Sequence, residues 1–448
     1  MDRTKRHDRT KQSRYSEQGA GIVNPRARQR AFCVAVLPPS RSMAASQDDL
    51  AELKELLRTA GVAVAGELIQ RRAHADANNY LGKGKRVDLK EAIERSGANL
   101  IACDDELAPR QERNLEEATG LPVIDRTAII LDIFADHAAS AEGKLQVELA
   151  QLQYNLARMR GLWTHLERLG GGIGTRGPGE SQIETDRRLA RDRIAQLKRR
   201  LERSERARAL GRSRRESAEL PAIALAGYTN AGKSTLHNAL TDAEVGVSVG
   251  ERLFHTLDPT TRSFRHEGRD YLVTDTVGFI RKLPHQLVEA FKATLEETTN
   301  ADLILHVVDA SAPEEELDAM LRSVDEVLDE IGAGTNPRLV VLNMIDLLDQ
   351  DGRRMLELRH PDAVLVSAVS GEGIETLKGR IEAAFRGRLQ AIELLVPFER
   401  GRVLSELHEL AGDLEREDTP EGVRVRARVP AGVAARLRPY ELNGRPPA

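Results

Sequence analysis

The sequence predicts a multidomain α/β protein, and three observations carry that reading. Its 448 residues are about three times the usual ~150 per domain. From Ala31 to about Ser140 apolar runs alternate with amphipathic helical stretches, the pattern of a small parallel-sheet domain. A second alternation begins at Leu220 and runs to about Phe385, and it opens on a glycine-rich turn between a strand and a helix.

In order, residues 1–30 form a basic tail without a packed core, and 31–140 an N-terminal α/β domain. In the latter, Ala31–Leu37, Val62–Gln70, Asn99–Cys103 and Pro122–Asp125 read as strands. Asp48–Ala60, Gly84–Ser96, Pro109–Thr119 and a segment from Arg126 read as helices, with Asp48 as a cap and Gly61 as a stop. Residues 141–210 read as an antiparallel helical hairpin, about Gly143–Leu169 and Glu184–Ala209, with Leu145, Leu149, Leu152 and Leu156 as its apolar seam. The connection 170–182 holds six glycines with Arg176, Glu180, Ser181 and Gln182, and offers exposed backbone to a phosphate chain. An Arg/Ser/Glu linker follows at 211–220. Residues 221–388 form a second α/β domain, with a mostly parallel sheet and helices on both faces. Residues 389–448 form a small α+β appendage with a helix at Gly401–Ala411 and a strand at Val423–Val429.

Composition narrows the classes of function. Hydrophobic residues are 40% and charged residues 30% of the chain, as in globular domains. No run approaches the ~18 apolar residues of a membrane span. The apolar run Ala31–Leu37, with Ala44 and Ala45 behind it, imitates a signal peptide but is short, late and closed by Pro38 and Pro39, which favours a first strand. Cys33 and Cys103 are the only cysteines and both lie in apolar runs, which fits a reducing cytoplasm. Aromatics are only 3%, which argues against rows of base-stacking platforms. The net charge of −4 conceals +6 in residues 1–30 and +10 in residues 151–215, leaving −20 for the rest. Charge separated in this way suits a polyanionic partner at the hairpin.

The strongest chemical signal is Gly227-Tyr228-Thr229-Asn230-Ala231-Gly232-Lys233-Ser234, followed by Thr235. It fits the phosphate-binding loop and lies between the strand Ile223–Ala226 and a helix from Ser234. Its amides and the helix N-terminus would cradle phosphates, Lys233 would reach the β- and γ-phosphates, and Ser234 would ligate Mg²⁺. Downstream, a strand at Tyr271–Thr274 delivers Asp275-Thr276-Val277-Gly278; the carboxylate can hold a Mg²⁺ water and the Gly278 amide can meet the γ-phosphate. Two further strands deliver Asn343-Met344-Ile345-Asp346 and Ser367-Ala368-Val369. A carboxylate at Asp346 can accept from both guanine N1–H and the 2-amino group, a pair that adenine lacks, so GTP and GDP are the expected ligands. The order, each motif after a strand, is similar to the G1, G3, G4 and G5 elements of the translation-factor-related GTPases. The segment Leu253–Arg262 stands where the first switch belongs, and composition leaves Thr256, Thr260 and Thr261 open as the second Mg²⁺ ligand.

Taken together, the chain resembles the HflX family of ribosome-associated GTPases in the Obg–HflX group. The residues that carry the likeness are Asn79-Tyr-Leu-Gly-Lys-Gly-Lys85, Asp125-Arg-Thr with Asp132-Ile-Phe134, Gly170–Gln182, the phosphate loop, Phe254–Arg262, and Asp275-Thr-Val-Gly-Phe-Ile280 continuing into Leu283-Pro-His285. The resemblance places the Mg²⁺ threonine in Phe254-His255-Thr256-Leu257-Asp258, at Thr256. It also implies a cytoplasmic protein that binds the large ribosomal subunit and its RNA through the hairpin 141–210, brings the hairpin loop to the peptidyl-transferase region and splits stalled ribosomes. A monomer is expected.

Phe279 and Met344 depart from related patterns, and Asn230 matches one. Phe279 stands where Ras-like enzymes place a water-orienting glutamine, so intrinsic hydrolysis is expected to be slow and completed by the ribosome. Asn230 occupies the place that coordinates K⁺ in potassium-stimulated relatives. Met344 replaces the lysine of the usual NKxD, which keeps apolar cover over the base and loses a charge. Competing readings are a nucleotide-gated RNA-binding or assembly factor without splitting activity, and an ATP-driven RNA remodeller with a second site near Lys83 and Lys85. A lone histidine such as His285 reads as packing rather than chemistry.

Overall fold

The computed structural model describes the chain except residues 1–28, 41–42, 160–177, 218–219, 242–252, 255–258, 283–294, 387–388, 411–413 and 443–448. The predicted tail 1–30, most of the glycine loop 170–182, His255–Asp258 and His285 therefore lie largely or wholly outside the described residues.

The first sheet contains β1 (Arg30–Leu37), β2 (Ala63–Arg71), β3 (Leu100–Cys103) and β4 (Val123–Asp125), all parallel in the order β2-β1-β3-β4. Continuous apolar runs such as that of β1 suit strands covered on both faces. The covering helices are α1 (Met43–Thr59), α2 (Lys83–Ser96), α3 (Pro109–Thr119) and α4 (Arg126–His137). Cys33 and Cys103 are buried free thiols on adjacent strands and pack into different cores on the two faces of the sheet. α1 starts five residues before the expected cap Asp48, because Met43-Ala-Ala-Ser-Gln is itself helix-forming. It ends as expected at Gly61, whose φ of 75° is left-handed and whose N–H donates to Arg58 O. Lys83 and Lys85 open α2. Asp125 caps α4 by accepting from the Ala128 N–H.

Two helices follow, α5 (Ala141–Arg158) and α6 (Pro178–Ser217), and they pack through Leu149, Leu197 and Leu201 with Leu145, Leu152 and Ile194 alongside. α6 begins before the expected Glu184 and runs through most of the expected linker 211–220. Proline is at home in a first helical turn, and the Arg/Glu-rich stretch to Ser217 contains only one glycine to interrupt it. Arg193 fixes the pair by a forked bond to Glu148, at 2.7 and 3.0 Å. The C-terminal end of α5 is held by Asp125, which accepts from Tyr154 Oη at 2.8 Å and from Arg158 at 2.5 Å.

The second sheet runs β10-β9-β8-β5-β7-β6. It is formed by β5 (Ala222–Gly227), β6 (Thr260–His266), β7 (Arg269–Asp275), β8 (Leu303–Asp309), β9 (Arg338–Asn343) and β10 (Val364–Leu365). All neighbours are parallel except β6, which is antiparallel to β7. β5 lies between β7 and β8: the chain leaves β5 towards β6 and β7 on one side and, after β7, crosses to β8 on the other. That is the topological switch point, where open α/β sheets hold their ligands. Helices α7 (Lys233–Thr241), α8 (Glu314–Glu330), α9 (Gln350–Arg359) and α10 (Ile374–Arg386) belong to this unit.

The last unit is an antiparallel sheet of β11 (Leu389–Val396), β12 (Leu414–Thr419) and β13 (Gly422–Pro430) in the order β11-β13-β12. α11 (Gly401–Leu410) and α12 (Ala431–Leu437) cover one face with Leu407, Val433 and Leu437. Among the described residues, no helix is long and apolar enough to cross a membrane.

His306 on β8 is only 2% exposed, and burial, helped by Arg338 and Lys233, pushes its imidazole down to about 4 from 6.5. Above pH 6.5 it is neutral folded or unfolded and contributes no pH dependence. As the pH falls towards 4, the unfolded chain takes up a proton that the folded chain resists, and stability drops by about 3 kcal/mol at ~1.36 kcal/mol per unit. Urea midpoints at pH 7 and pH 4.5 should converge in His306→Leu relative to the unsubstituted chain. An equal acid loss in both proteins would remove His306 as the cause.

Candidate nucleotide site

The phosphate-loop sequence turns sharply at the carboxyl end of β5, and its glycines are required by contact. A Cβ on Gly227 would lie 2.1 Å from Val307 O, and one on Gly232, whose φ is 83°, would lie 2.3 Å from Asn343 Nδ2. Asn230 is also left-handed, at φ 64°, a conformation that asparagine tolerates better than most residues. Lys233 opens α7 and is buried. Its Nζ donates to Gly227 O at 3.0 Å and Tyr228 O at 2.7 Å, and so is held at the mouth of the loop. Burial pushes its ammonium down to about 8, with Asp275 pulling the other way. Phosphate oxygens would satisfy that cation better than carbonyls do.

Ser234 Oγ donates to Asp275 Oδ2 at 2.6 Å, so two of the expected Mg²⁺ groups meet directly. Asp275 Oδ1 is buried and has no hydrogen-bond partner among the described residues. An orphaned carboxylate oxygen beside a serine hydroxyl, next to a phosphate loop, fits a hard divalent cation and its water. Of the alternative threonines, Thr261 is engaged with Thr274 at 2.9 Å between hydroxyls, and Thr260 lies opposite Asp275 in the ladder. Thr256, with His255, Leu257 and Asp258, lies outside the described residues. Phe254 is left-handed at φ 57°, and its ring packs edge-on against Phe134, centroids 4.6 Å apart.

The segment after β7 lies against the loop. Thr276 Oγ1 donates to Leu225 O at 2.6 Å. Phe279 N–H donates to Gly227 O at 3.0 Å, and Thr229 N–H donates to Phe279 O at 2.7 Å. These bonds press Gly278 onto Thr229 and Lys233. Phe279 itself is buried with Ala224, Ala226, Leu295 and Ile304, away from the loop mouth. Its side chain is apolar and 1% exposed, and offers no polar group to a water.

The base-recognition motifs close the other side. Asn343 Nδ2 donates to Ala231 O at 2.9 Å, and Asn343 Oδ1 accepts from Ala368 N–H at 3.0 Å. The asparagine thus ties the phosphate loop to the Ser367–Val369 segment. Met344 has φ 66°, and its Cε would lie 3.5 Å from a Cβ on Gly232. Ile345 is buried while Asp346, on a 3₁₀ turn after β9, is exposed, as is Val369.

All four motifs therefore converge at one end of the sheet. The contacts that sequence reasoning missed come from the N-terminal unit. Tyr228 Oη donates to Glu52, Lys282 pairs with Asp104 and Asp105, and Leu253, Phe254, Val277 and Ile280 join the core of the first sheet. No spacing rule links residues so far apart.

Family models match consecutive stretches of the chain. They are described as GTP-binding GTPase N-terminal (47–135), GTP-binding GTPase Middle Region (137–215), 50S ribosome-binding GTPase (222–344) and HflX C-terminal domain (357–438). The chain is 44% identical over 419 residues to the GTPase HflX of Caldanaerobacter subterraneus subsp. tengcongensis, covering 93% of this chain and 95% of the relative. The chain belongs to the HflX family of GTPases. The GTPase HflX of Lacrimispora saccharolytica is 46% identical over 88% of this chain and 92% of its own. That of Escherichia coli K12 is 44% identical over 86% of this chain and 90% of its own.

Membership makes this a GTP-binding chain and gives Met344 a measurable consequence. A lysine there would place an ammonium over the phosphate-loop backbone where Met344 offers only a thioether. Met344→Lys should tighten GDP binding about ten-fold or more, the lower end of the range for one charge-assisted hydrogen bond, and keep the preference for guanine. Titration with a fluorescent GDP analogue measures this; an unchanged affinity would show that methionine costs nothing.

Proposed function

We propose that the chain is a Mg²⁺-dependent GTP hydrolase that works on the large ribosomal subunit and dissociates or rescues stalled ribosomes. The observation that carries this is the meeting of Lys233, Ser234, Asp275, Asn343 and Asp346 segments at one sheet end in a chain matched at 222–344 by a family described as 50S ribosome-binding. Gly227–Thr235 would hold the phosphates, and Asn343–Asp346 with Ser367–Val369 the guanine. Ser234, Thr256 and, through a water, Asp275 would hold Mg²⁺, which neutralises charge on the β- and γ-phosphates when bound. Lys233 and Gly278 N–H would stabilise the γ-phosphate as it leaves.

Slow intrinsic turnover follows from Phe279, which is directed into the core and leaves the water to be oriented by an outside element. The +10 segment 151–215 supplies electrostatic affinity for folded RNA. We place the chain in the cytoplasm as a monomer, with K⁺ at Asn230 as an auxiliary ion.

GTP turnover with and without purified large subunits, in K⁺ and in Na⁺, and sedimentation of intact ribosomes in the same samples, tests these points together. Stimulation with ribosome dissociation is expected. No stimulation would sink the ribosome-activated mechanism, stimulation without dissociation would favour an assembly factor, and equal rates in both salts would remove the K⁺ site.

A further inference from the structure

Tyr228 is the second residue of the phosphate loop, yet its side chain is taken up by the N-terminal unit. It is 7% exposed, and its Oη accepts from Arg281 N–H at 2.8 Å. The same oxygen donates to Glu52 of α1. Burial pushes the phenol up to about 12, so the hydroxyl keeps its proton at neutral pH and can do both. Glu52 is itself fixed by Arg126 at the start of α4. Arg126 reaches on to Asp104 Oδ1 at 2.8 Å, and Asp104 Oδ2 meets Lys282 Nζ at 2.7 Å. Lys282 also meets Asp105 Oδ1 at 2.6 Å, and Asp105 accepts from Tyr80 Oη.

These contacts form a ring. It leaves the phosphate loop at Tyr228, passes through Glu52, Arg126 and Asp104, returns to Lys282, and closes through the neighbouring Arg281 amide on Tyr228. Arg126 and Asp104 are almost wholly buried. Buried ion pairs of this kind are geometrically demanding and costly to break. Between Gly278 and Arg281, Phe279 is paired by both its backbone groups with Gly227 and Thr229. Gly278 is therefore next to a segment tied at Phe279, at Arg281 and at Lys282, and two of those three ties depend on residues far from the nucleotide.

We propose that Tyr228 is a positioning residue for GTP hydrolysis: oriented by Glu52 and Arg126, its hydroxyl fixes the Phe279–Lys282 segment and so places the Gly278 amide for the γ-phosphate. This rests on the hydrolase reading above. Its gain is preorganisation: a donor held in place before reaction needs no rearrangement during it. Removal of the hydroxyl leaves the phosphate loop and the guanine contacts untouched, so nucleotide affinity and turnover respond differently.

The test uses the full chain with Tyr228→Phe, Glu52→Gln and the double variant. Single-turnover GTP hydrolysis with and without large subunits, GDP affinity, thermal midpoint and hydrogen exchange of the Phe279–Lys282 amides are measured on each. Each single variant should lose about ten-fold in hydrolysis rate, the scale of one hydrogen bond to a charged group, with GDP affinity within about two-fold. The double variant should lose no more than either single, because both break one relay, and the Arg281 amide should exchange faster in all three. Unchanged hydrolysis in Tyr228→Phe, losses that multiply in the double variant, or a rate loss that only follows lowered GDP affinity or melting would each overturn the proposal. Absence of turnover in the unsubstituted chain would instead defeat the hydrolase reading, while Arg281 exchange still reports whether the tether exists.

Discussion

Asp346→Asn is expected to weaken GTP and GDP binding by about two orders of magnitude and to admit xanthine nucleotides in their place. A carboxylate presents two acceptors to guanine N1–H and its 2-amino group, each bond charge-assisted and worth ~1.5–3 kcal/mol. An amide keeps one acceptor and turns a donor towards the 2-amino donor. Xanthine carries an oxygen there, which that amide donor would satisfy. The fold should be indifferent, because Asp346 is exposed on its 3₁₀ turn and the neighbouring framework bonds belong to Asn343. Competition between GDP and XDP for a fluorescent nucleotide measures the change. Unaltered GDP affinity with no gain for XDP would remove Asp346 from base recognition.

That prediction was accessible from sequence because each nucleotide motif is a local demand on backbone or charge at the end of a strand. Gly227 and Gly232 are legible for the same reason that they are irreplaceable: β8 and Asn343 come too close for a Cβ. The sheet was legible where strands are covered on both faces, as in the apolar runs of β1 and β5, whereas β8, equally apolar and buried, carries no motif at its end and was not singled out. β12 was not, since Leu414–Thr419 is largely exposed and charged, and only its ladder with β13 makes it a strand. The same local logic failed for the linker, where an Arg/Glu-rich stretch read as a connection continues α6 to Ser217.

What lay wholly outside the sequence's reach is the docking of the N-terminal unit on the nucleotide segment. Tyr228 and Glu52 are 176 positions apart, and Lys282 and Asp104 are 178 apart. A tyrosine in a phosphate loop, a lysine after DxxG and an aspartate after a strand are individually ordinary. Their chemistry is created by burial of Phe254, Val277 and Ile280 in the core of the first sheet, which fixes distances that no periodicity encodes. Phe279 illustrates the converse: its identity alone excluded a role in orienting water, and the structure supplies the reason it is apolar, a place in the core with Ala224 and Ile304.

Gly278→Ala should lower GTP hydrolysis by a hundred-fold or more while leaving GDP binding nearly intact. A Cβ there would lie 2.8 Å from Thr229 Cγ2, 2.9 Å from Thr229 Cα and 3.0 Å from Lys233 Nζ. The Thr229 contact is with backbone and cannot rotate aside, so the Asp275–Phe279 segment must retreat from the phosphate loop. Retreat withdraws the Gly278 amide from the γ-phosphate and strains both Phe279 backbone bonds. Loss of one such preorganised donor costs ~10²–10³ in rate. GDP has no γ-phosphate for that amide to meet, and the Asn343–Ala231 and Asn343–Ala368 bonds lie on the far side of the loop. The two affinities should therefore separate: GDP within a few-fold, and a non-hydrolysable GTP analogue at least ten-fold weaker. Equal weakening of both would mean that the added methyl distorts the phosphate loop itself, and full hydrolysis would mean that Gly278 does not approach the γ-phosphate at all.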